Sequence, residues 1–486
     1  MAKTLAWRCS GVVLLASIGL GSAYSQSLPP EVDAALARAK VPREAVTLLI
    51  VDAEGKTAPR LSHRAAVVVN PASVMKLVTT YAALDLLGPA FTWSTPVYVE
   101  GAVRDGTLFG NLVIKGQGDP KLVVERLWLL LRRVQGLGVK TISGDIILDS
   151  SAFAPVETDP GSFDGEPLRP YNAAPDALLL NYKSVVMTFV ADRTANSAQV
   201  QFDPPLAGVA MQTSVPLAGG DCGDYRAALK ADFSDPNRIR FGGAYPAACA
   251  EKVWPIAYVD PKTYSTRAIE GLWHEMGGKL GGSVRTGNLP AALAAPVFEL
   301  VSPALAEVIR DINKFSNNVM AQQLFLTLSL QNRLSAVPGS AARATANERG
   351  TLEGAREVVR RWWSERMAGS EAPLLDNGSG LSRSERISAQ SLARMLQTAY
   401  LSPLMPELMA SLPLAGVDGT MRRSRSRATG SAHLKTGSLR DVAAMAGYVH
   451  AASGKRYVLV AIVNHANASA TRPAFDALLD WAMKDN

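Results

Sequence analysis

Apolar residues recur at intervals of three and four between positions 74 and 84, which is the period of one face of an α-helix. The residues at these positions are Val74, Leu77, Val78, Tyr81 and Leu84. Pro71 stands where helices commonly start, two residues before Ser73. The pattern predicts a buried helix that begins near Ser73.

A second helical pattern covers residues 307–315, and an apolar helical pattern follows at 319–330. The polar triplet Ser316, Asn317 and Asn318 separates them. Ser and Asn are common at helix ends and in turns. We therefore expect this triplet to form a turn between two helices.

The C-terminal part of the chain has the pattern of antiparallel strands. Residues 432–437, 443–450 and 457–464 are strand-like, and Ser453 and Gly454 provide a turn between the last two. Short β-type runs broken by Gly and Pro also fill the region from about 91 to about 290, for example 96–99, 112–115, 145–148 and 185–189. That region is predicted to be mainly β.

Three short motifs fall on these elements in a fixed order: S-x-x-K at residues 73–76, S-N-N at 316–318 and K-T-G at 435–437. Each motif alone is weak, but the ordered set is typical of serine acyl-transfer enzymes. Ser73 at a helix start lies near free N–H groups and the positive end of the helix dipole. Lys76 lies one turn later on the same face, where a neutral amine can accept the serine proton. The alternative is a capping serine and an exposed lysine.

The other two motifs offer complementary chemistry. Ser316 can relay a proton toward a leaving amine, and Asn318 can bond a substrate amide and the Lys76 amine. Lys435 on an edge strand can hold a substrate carboxylate, and Gly437 lets a ligand backbone approach the strand. The alternatives are a helix-capping turn for the S-N-N triplet and a solvated edge lysine for K-T-G.

Three further residues complete the candidate site. The backbone N–H groups of Ser73 and Ser438 are predicted to form the oxyanion hole. Thr436 and Ser438 are expected to help Lys435 recognise a carboxylate. Arg383 is a candidate for substrate positioning, with a structural role in its loop as the alternative.

With these motifs, the sequence resembles the class C low-molecular-mass penicillin-binding proteins, peptidase family S13, which are D-Ala-D-Ala carboxypeptidases and endopeptidases of peptidoglycan. The resemblance covers nearly the whole mature chain and includes residues 110–120 (GNLVIKGQGDP), 142–146 (ISGDI), 376–383 (DNGSGLSR) and 414–421 (LAGVDGTM). One departure is Asn377 beside Asp376, where the family usually reads D-G-S-G-L-S. The resemblance implies an α+β fold, with a penicillin-binding/β-lactamase-type transpeptidase domain, in which helices flank an antiparallel sheet, and a large, mainly β insert.

The spacing of the motifs agrees with an insert, because 243 residues separate Ser73 from Ser316. We predict a signal peptide at 1–23, a catalytic domain formed by 24–90 and 291–486, and one or two accessory domains at 91–290. The signal peptide rests on Lys3 and Arg8, the apolar stretch 11–20 and small residues at 21–23. An uncleaved anchor is the alternative. Cleavage would export the protein to the periplasm.

Composition fits a large exported globular protein, with 486 residues, 48% hydrophobic and 19% charged. Cleavage would remove Cys9 and leave Cys222 and Cys249, which suggests one disulfide within the insert, with two free thiols as the alternative. The net charge of +7 is compatible with peripheral association with an anionic membrane or cell wall. The basic run 422–427 has no nucleic-acid-binding signature, so we expect no nucleic-acid partner.

Other catalytic chemistries lack support. The five histidines form no H-E-x-x-H or other close ligand pair, and the chain has no G-x-S-x-G motif or glycine-rich phosphate loop. We expect no metal and no cofactor. The expected function is hydrolysis of terminal D-Ala-D-Ala bonds, of D-Ala-meso-diaminopimelate cross-links, or of both, through a Ser73 acyl-enzyme. Stem peptides and β-lactams would be its ligands. The alternatives are a serine β-lactamase and a non-catalytic peptidoglycan-binding protein, and the oligomeric state stays open.

Overall fold

The computed structural model describes residues 27–334 and 349–484, so the predicted signal peptide lies outside the described residues. The helices of the described part are α1 Pro30–Arg38, α2 Lys76–Leu87, α3 Val124–Gly136, α4 Tyr225–Leu229, α5 Tyr264–Glu275, α6 Leu305–Phe315, α7 Asn318–Leu334, α8 Leu352–Arg366, α9 Ala389–Tyr400, α10 Met405–Ser411 and α11 Arg472–Lys484. None of these helices is long and apolar enough to cross a membrane.

Most of the strands lie in the middle of the chain and near its C-terminus. The strands of the described part are β1 Val46–Asp52, β2 Leu61–His63, β3 Val68–Val69, β4 Ser94–Arg104, β5 Thr107–Lys115, β6 Thr141–Ile142, β7 Ile146–Asp149, β8 Ser184–Asp192, β9 Ser197–Asp203, β10 Ala210–Met211, β11 Ser214–Ala218, β12 Ala231–Asp232, β13 Arg238–Phe241, β14 Tyr245–Pro246, β15 Glu251–Ala257, β16 Lys279–Leu280, β17 Val284–Thr286, β18 Phe298–Val301, β19 Ile387–Ser388, β20 Ala432–Leu439, β21 Val442–His450 and β22 Arg456–Asn464.

One antiparallel sheet organises the part of the molecule that carries the three motifs. Its strand order is β2-β1-β22-β21-β20, so the K-T-G strand β20 lies at an edge. Side chains of β22 alternate between two cores. Val458, Val460 and Ile462 pack with helices α2 and α6 to α10 on one face, and Leu459, Ala461 and Val463 pack with α1 and α11 on the other. The predicted α+β class, an antiparallel sheet flanked by helices, is confirmed.

Residues 76–84 of helix α2 are all buried in the larger core, as expected for a helix that has apolar residues on every side. The start of this helix differs in detail from the prediction. Residues Ala72–Met75 form a 3₁₀ turn, and the α-helix continues from Lys76. The predicted helix–turn–helix around Ser316 is present as α6 and α7.

The region between β4 and β18 has a separate core, made of buried residues from Val97 to Leu300. It contains a five-stranded sheet, β14-β11-β9-β8-β15, and a mixed seven-stranded sheet that includes β4, β5 and β18. Because β18 pairs with β4, the chain enters and leaves this region at neighbouring strands. The proposed domain division stays a prediction. The separate core supports it and favours a second boundary near Val301.

Cys222 and Cys249 are joined by the predicted disulfide, with their Cα atoms 4.6 Å apart. Both cysteines pack with the core of the inserted region. The disulfide therefore lies in the region between β4 and β18 and is not an element of the site formed by the three motifs.

Candidate active site

Ser73 follows a residue with an unusual backbone conformation. Ala72 is fully buried and has φ of 48°, in the left-handed region that residues with a Cβ rarely adopt. The side-chain oxygen of Asn70 accepts a hydrogen bond from the Ala72 N–H at 2.8 Å. Asn70 is held in turn by Asn464 at the end of β22, through two backbone–amide hydrogen bonds of 2.9 Å. This chain of contacts fixes the backbone that presents Ser73.

Lys76 makes the central contacts of the site. Its Nζ atom lies 3.0 Å from Ser73 Oγ, 2.5 Å from Asn318 Oδ1 and 2.5 Å from the Ser379 carbonyl oxygen. The lysine is fully buried, which excludes the alternative of an exposed lysine. Burial, and then the charge of Lys435, hold the pKa of Lys76 well below its ordinary value. A neutral amine beside a serine hydroxyl can act as a general base.

A second serine–lysine pair joins the other two motifs. Lys435 Nζ donates to Ser316 Oγ at 2.8 Å and to the Thr436 carbonyl at 2.7 Å. Ser316 ends helix α6 in a left-handed conformation, with φ of 56°. Lys435 is fully buried although its strand is an edge, so it is not a solvated edge lysine. Burial lowers the pKa of Lys435 to about 7.

The K-T-G strand runs close to the backbone of Ser73. A Cβ atom on Gly437 would lie 2.6 Å from the Pro71 carbonyl oxygen and 3.0 Å from the Ser73 nitrogen, so only glycine fits. The next residue, Ser438, is exposed and lines the same cavity as Ser73. The approach of strand and serine is the geometry that an oxyanion hole formed by the two N–H groups would need.

A cavity of about 630 Å³ opens over these residues. Its wall includes residues outside the region between β4 and β18, which are Ser73, Phe315, Ser316, Asn317, Asn318, Val319, Leu381, Arg383, Ser438, Leu439 and Arg440, and residues of that region, which are Phe163, Asp164, Pro170, Tyr171 and Tyr182. The serines of the first two motifs are half-buried at its wall, whereas Lys76 and Lys435 are fully buried. The region between β4 and β18 therefore forms one side of the cleft.

Arg383 lies at the side of this cavity that the insert contributes. Its guanidinium carbon is 4.5 Å from the centre of the Phe163 ring, and its Nη1 atom is 3.2 Å from Asp441 Oδ1. These contacts are compatible with substrate positioning and with a structural role, so both interpretations remain. Thr436 also has a partner, because its hydroxyl donates to Thr420 Oγ1 at 2.6 Å.

Sequence reasoning missed two groups of residues near Lys76. One is the Asn70–Asn464 pair behind Ser73. The other is the turn 376–379 with the buried carboxyl of Glu385, whose Oε1 accepts hydrogen bonds from three backbone N–H groups of the turn. The motif at 376–383 marked this turn by resemblance, but nothing in the sequence assigned Glu385 to it. The described residues contain no cluster of three potential metal ligands.

The family model for the D-Ala-D-Ala carboxypeptidase 3 (S13) family matches residues 28–484. The chain belongs to this family. It is an enzyme of the D-Ala-D-Ala carboxypeptidase class, as the three motifs and the resemblance predicted.

Curated relatives agree with the family model. The D-alanyl-D-alanine carboxypeptidase DacB of Haemophilus influenzae is 24% identical over 397 residues, which cover 81% of this chain and 80% of that protein. A D-alanyl-D-alanine carboxypeptidase of Actinomadura sp. is 28% identical over 419 residues, covering 82% of this chain and 73% of the relative.

Solved structures support the fold. The crystal structure of penicillin binding protein 4 from Haemophilus influenzae matches with a TM-score of 0.69 at 21% identity, over 92% of this chain and 99% of the other. A predatory peptidoglycan endopeptidase from Bdellovibrio bacteriovorus matches with a TM-score of 0.51 at 15% identity, over 90% of this chain and 92% of the other. At these identities the likeness shows a shared fold.

Proposed function

We propose that this protein is a periplasmic serine DD-peptidase that works through an acyl-enzyme on Ser73. Its substrates would be peptidoglycan stem peptides, cleaved at the terminal D-Ala-D-Ala bond, at D-Ala-meso-diaminopimelate cross-links, or at both. The observation that carries the proposal is the 3.0 Å contact between Ser73 Oγ and the buried amine of Lys76. The two curated D-alanyl-D-alanine carboxypeptidases support the carboxypeptidase activity, and the Bdellovibrio peptidoglycan endopeptidase supports the endopeptidase activity.

Acylation begins when neutral Lys76 takes the proton of the Ser73 hydroxyl. The serine oxygen forms a bond to the carbonyl carbon of the penultimate D-Ala, whose oxygen becomes an oxyanion. The N–H groups of Ser73 and Ser438 stabilise this oxyanion. Asn318 and the Ser379 carbonyl hold Lys76 in place, since both accept hydrogen bonds from its amine.

Collapse of the intermediate breaks the C–N bond and needs a proton on the leaving amine. Ser316 donates this proton and recovers one from Lys435, which is 2.8 Å away. The product is D-alanine or the freed cross-link amine. Water then attacks the Ser73 ester and gives its proton through Ser316 to neutral Lys435. As the ester bond breaks, protonated Lys76 returns its proton to the Ser73 oxygen, and the shortened peptide leaves the site in its initial state.

The free carboxylate of the substrate is the proposed ligand of the K-T-G strand. Lys435 is fully buried and already bonds Ser316 and the Thr436 carbonyl. We therefore assign the direct hydrogen bonds to the hydroxyls of Ser438 and Thr436, with Lys435 supplying positive charge behind them. The Thr436 hydroxyl exchanges its hydrogen bond to Thr420 for one to the carboxylate when the peptide binds. Arg383 at the edge of the cavity is the proposed contact to a more distant part of the peptide.

Penicillin is expected to acylate Ser73 in the same way, because its lactam carbonyl and carboxylate resemble those of the terminal dipeptide. The test is labelling by a fluorescent penicillin in wild type, Ser73→Ala and the control Ser364→Ala, which changes an exposed serine on α8. A long-lived adduct in wild type and the control, absent from Ser73→Ala, supports the proposal. Rapid turnover of the adduct would favour a β-lactamase, and no adduct in any protein would favour a non-catalytic binding protein.

A further inference from the structure

A fully buried carboxyl group lies under the turn that contacts Lys76. Glu385 Oε1 accepts hydrogen bonds from the backbone N–H groups of Asp376, Asn377 and Gly378, at 3.1, 3.1 and 2.8 Å. One side-chain oxygen thus gathers three successive donors. Glu385 therefore holds the backbone of this turn in place.

The same turn reaches helix α2 on its other side. The Gly378 carbonyl accepts a hydrogen bond from Thr79 Oγ1 at 2.6 Å, and the Ser379 carbonyl accepts one from Lys76 Nζ at 2.5 Å. Any movement of the turn would therefore displace an acceptor of the Lys76 amine. Glu385 is linked to the proposed general base through only two residues of the turn, Gly378 and Ser379.

Beyond these hydrogen bonds, Glu385 differs from a glutamine in having an ionisable carboxyl group. The amide oxygen of a glutamine could accept the same three bonds. The second carboxyl oxygen, Oε2, has no hydrogen-bond partner among the residues that the structure describes. Holding the turn therefore does not by itself require an ionisable group in this fully buried position.

Burial and the neighbouring charged groups shift the pKa values of Glu385 and Lys76, and their effects have opposite signs. Burial raises the pKa of Glu385, with a smaller contribution from Asp376, and the three N–H bonds oppose the rise. Asp376 is itself paired with Arg356 at 3.2 Å. Burial and the charge of Lys435 lower the pKa of Lys76, whereas the charge of Glu385 raises it. The charge of Glu385 thus opposes the effects of burial and of Lys435 on the pKa of Lys76.

We propose that Glu385 is a positioning residue for Lys76: it holds the 376–379 turn, and with it the Ser379 carbonyl, against the amine, and it places a carboxylate near this buried lysine. The inference rests on the proposed function, in which Lys76 accepts the Ser73 proton. It adds a residue that makes no contact with the reacting atoms and acts through Lys76.

The decisive variant is Glu385→Gln, which keeps the acceptor for the turn and removes the charge. The second-order rate of Ser73 acylation by a penicillin is measured from pH 4.5 to 9. Without the nearby negative charge Lys76 loses its proton more easily, so the acid limb should move to lower pH by about one unit. The plateau rate should change by less than about threefold, since the turn is retained.

Two companion variants separate charge from structure. Glu385→Asp keeps the charge with a shorter reach, so its acid limb should stay at the wild-type pH while its plateau rate falls. Glu371→Gln removes an exposed carboxyl and should leave the profile unchanged. Thermal unfolding at each pH shows whether the proteins are folded. If Glu385→Gln does not fold, the position of the acid limb in Glu385→Asp decides the question.

The outcomes distinguish this inference from the proposed function. If the wild-type protein is not acylated by penicillin at any pH, the proposed function itself is wrong. Wild-type acylation with an acid limb that stays in place in folded Glu385→Gln, or that moves to lower pH in Glu385→Asp, would overturn only the role of Glu385.

Discussion

Two serine–lysine pairs form this site, and they are assembled in different ways. Ser73 and Lys76 are three residues apart at the start of one helix, so local structure brings them together. Ser316 and Lys435 are 119 residues apart and meet only when the end of α6 packs against β20. Local helix geometry is enough to form the first pair. The second pair forms only when distant parts of the chain fold together.

The electrostatic settings of the two lysines also differ. The pKa of Lys435 is lowered to about 7 by burial, whereas burial and the charge of Lys435 lower the pKa of Lys76, and the charge of Glu385 partly opposes them. The proposed mechanism uses this asymmetry. Lys76 must be neutral to accept a proton, and Lys435 must be charged to return one to Ser316 and to attract a carboxylate.

The largest effect is expected from Lys76→Met, which removes the proposed base and keeps an apolar side chain of similar length. We expect acylation of Ser73 by penicillin to slow by about 10³-fold, the range typical of a lost general base. The rate is measured by quenching the penicillin reaction at a series of times and detecting the adduct by intact mass. Lys455→Met, at an exposed lysine of the β21–β22 turn, is the matched control. A rate within tenfold of wild type would exclude Lys76 as the base.

Lys435→Met tests the second pair and should slow peptide hydrolysis by about 10²-fold, because a buried positive charge near the leaving group is lost. The pH profile sharpens the difference. Lys435 is charged below its pKa of about 7 and loses the charge as the pH rises through that value. The wild-type profile should therefore have an alkaline limb that is absent from Lys435→Met. An unchanged alkaline limb in the variant would assign it to another group.

The two pairs also differ in how far sequence could predict them. Two local patterns were predicted from the sequence. They are the helical spacing of Ser73 and Lys76 and the edge strand that carries Lys435. The contact of Lys76 with Asn318 was expected from the chemistry of the ordered motif set, since no local pattern brings these two residues together. The sequence placed Lys435 on an edge strand, where solvent exposure is usual, but the surrounding elements bury it completely.

The supporting residues behind the first pair were not predictable in this way. Asn70 and Asn464 are 394 residues apart, and each alone is an ordinary polar residue at the end of a strand. Glu385 has no periodic pattern around it, and its burial results from how the turn 376–379 folds over α2. Such residues become visible only through tertiary contacts.

Asn464→Ala tests this support and should have a smaller effect than either lysine variant. Loss of two hydrogen bonds to Asn70 should lower the free energy of unfolding by about 1–2 kcal/mol. Acylation of Ser73 should slow by about tenfold, because the buried Ala72 conformation is less firmly held. Denaturant unfolding and penicillin labelling measure the two effects. Equal stability with an unchanged rate would show that the strained backbone is fixed by packing alone.

The smallest expected effect comes from Thr420→Val, which acts on the second pair at its outer edge. Thr420 accepts the hydrogen bond of the Thr436 hydroxyl at 2.6 Å, and valine has a similar shape without an acceptor. The single proton of the Thr436 hydroxyl would then be free to bond a substrate carboxylate without first giving up a partner, so KM should fall by about threefold with kcat nearly unchanged. A peptide whose C-terminus is an amide provides the comparison, because its KM should not respond. Equal changes for both peptides would indicate that Thr420 supports the shape of the cleft and not its recognition of a carboxylate.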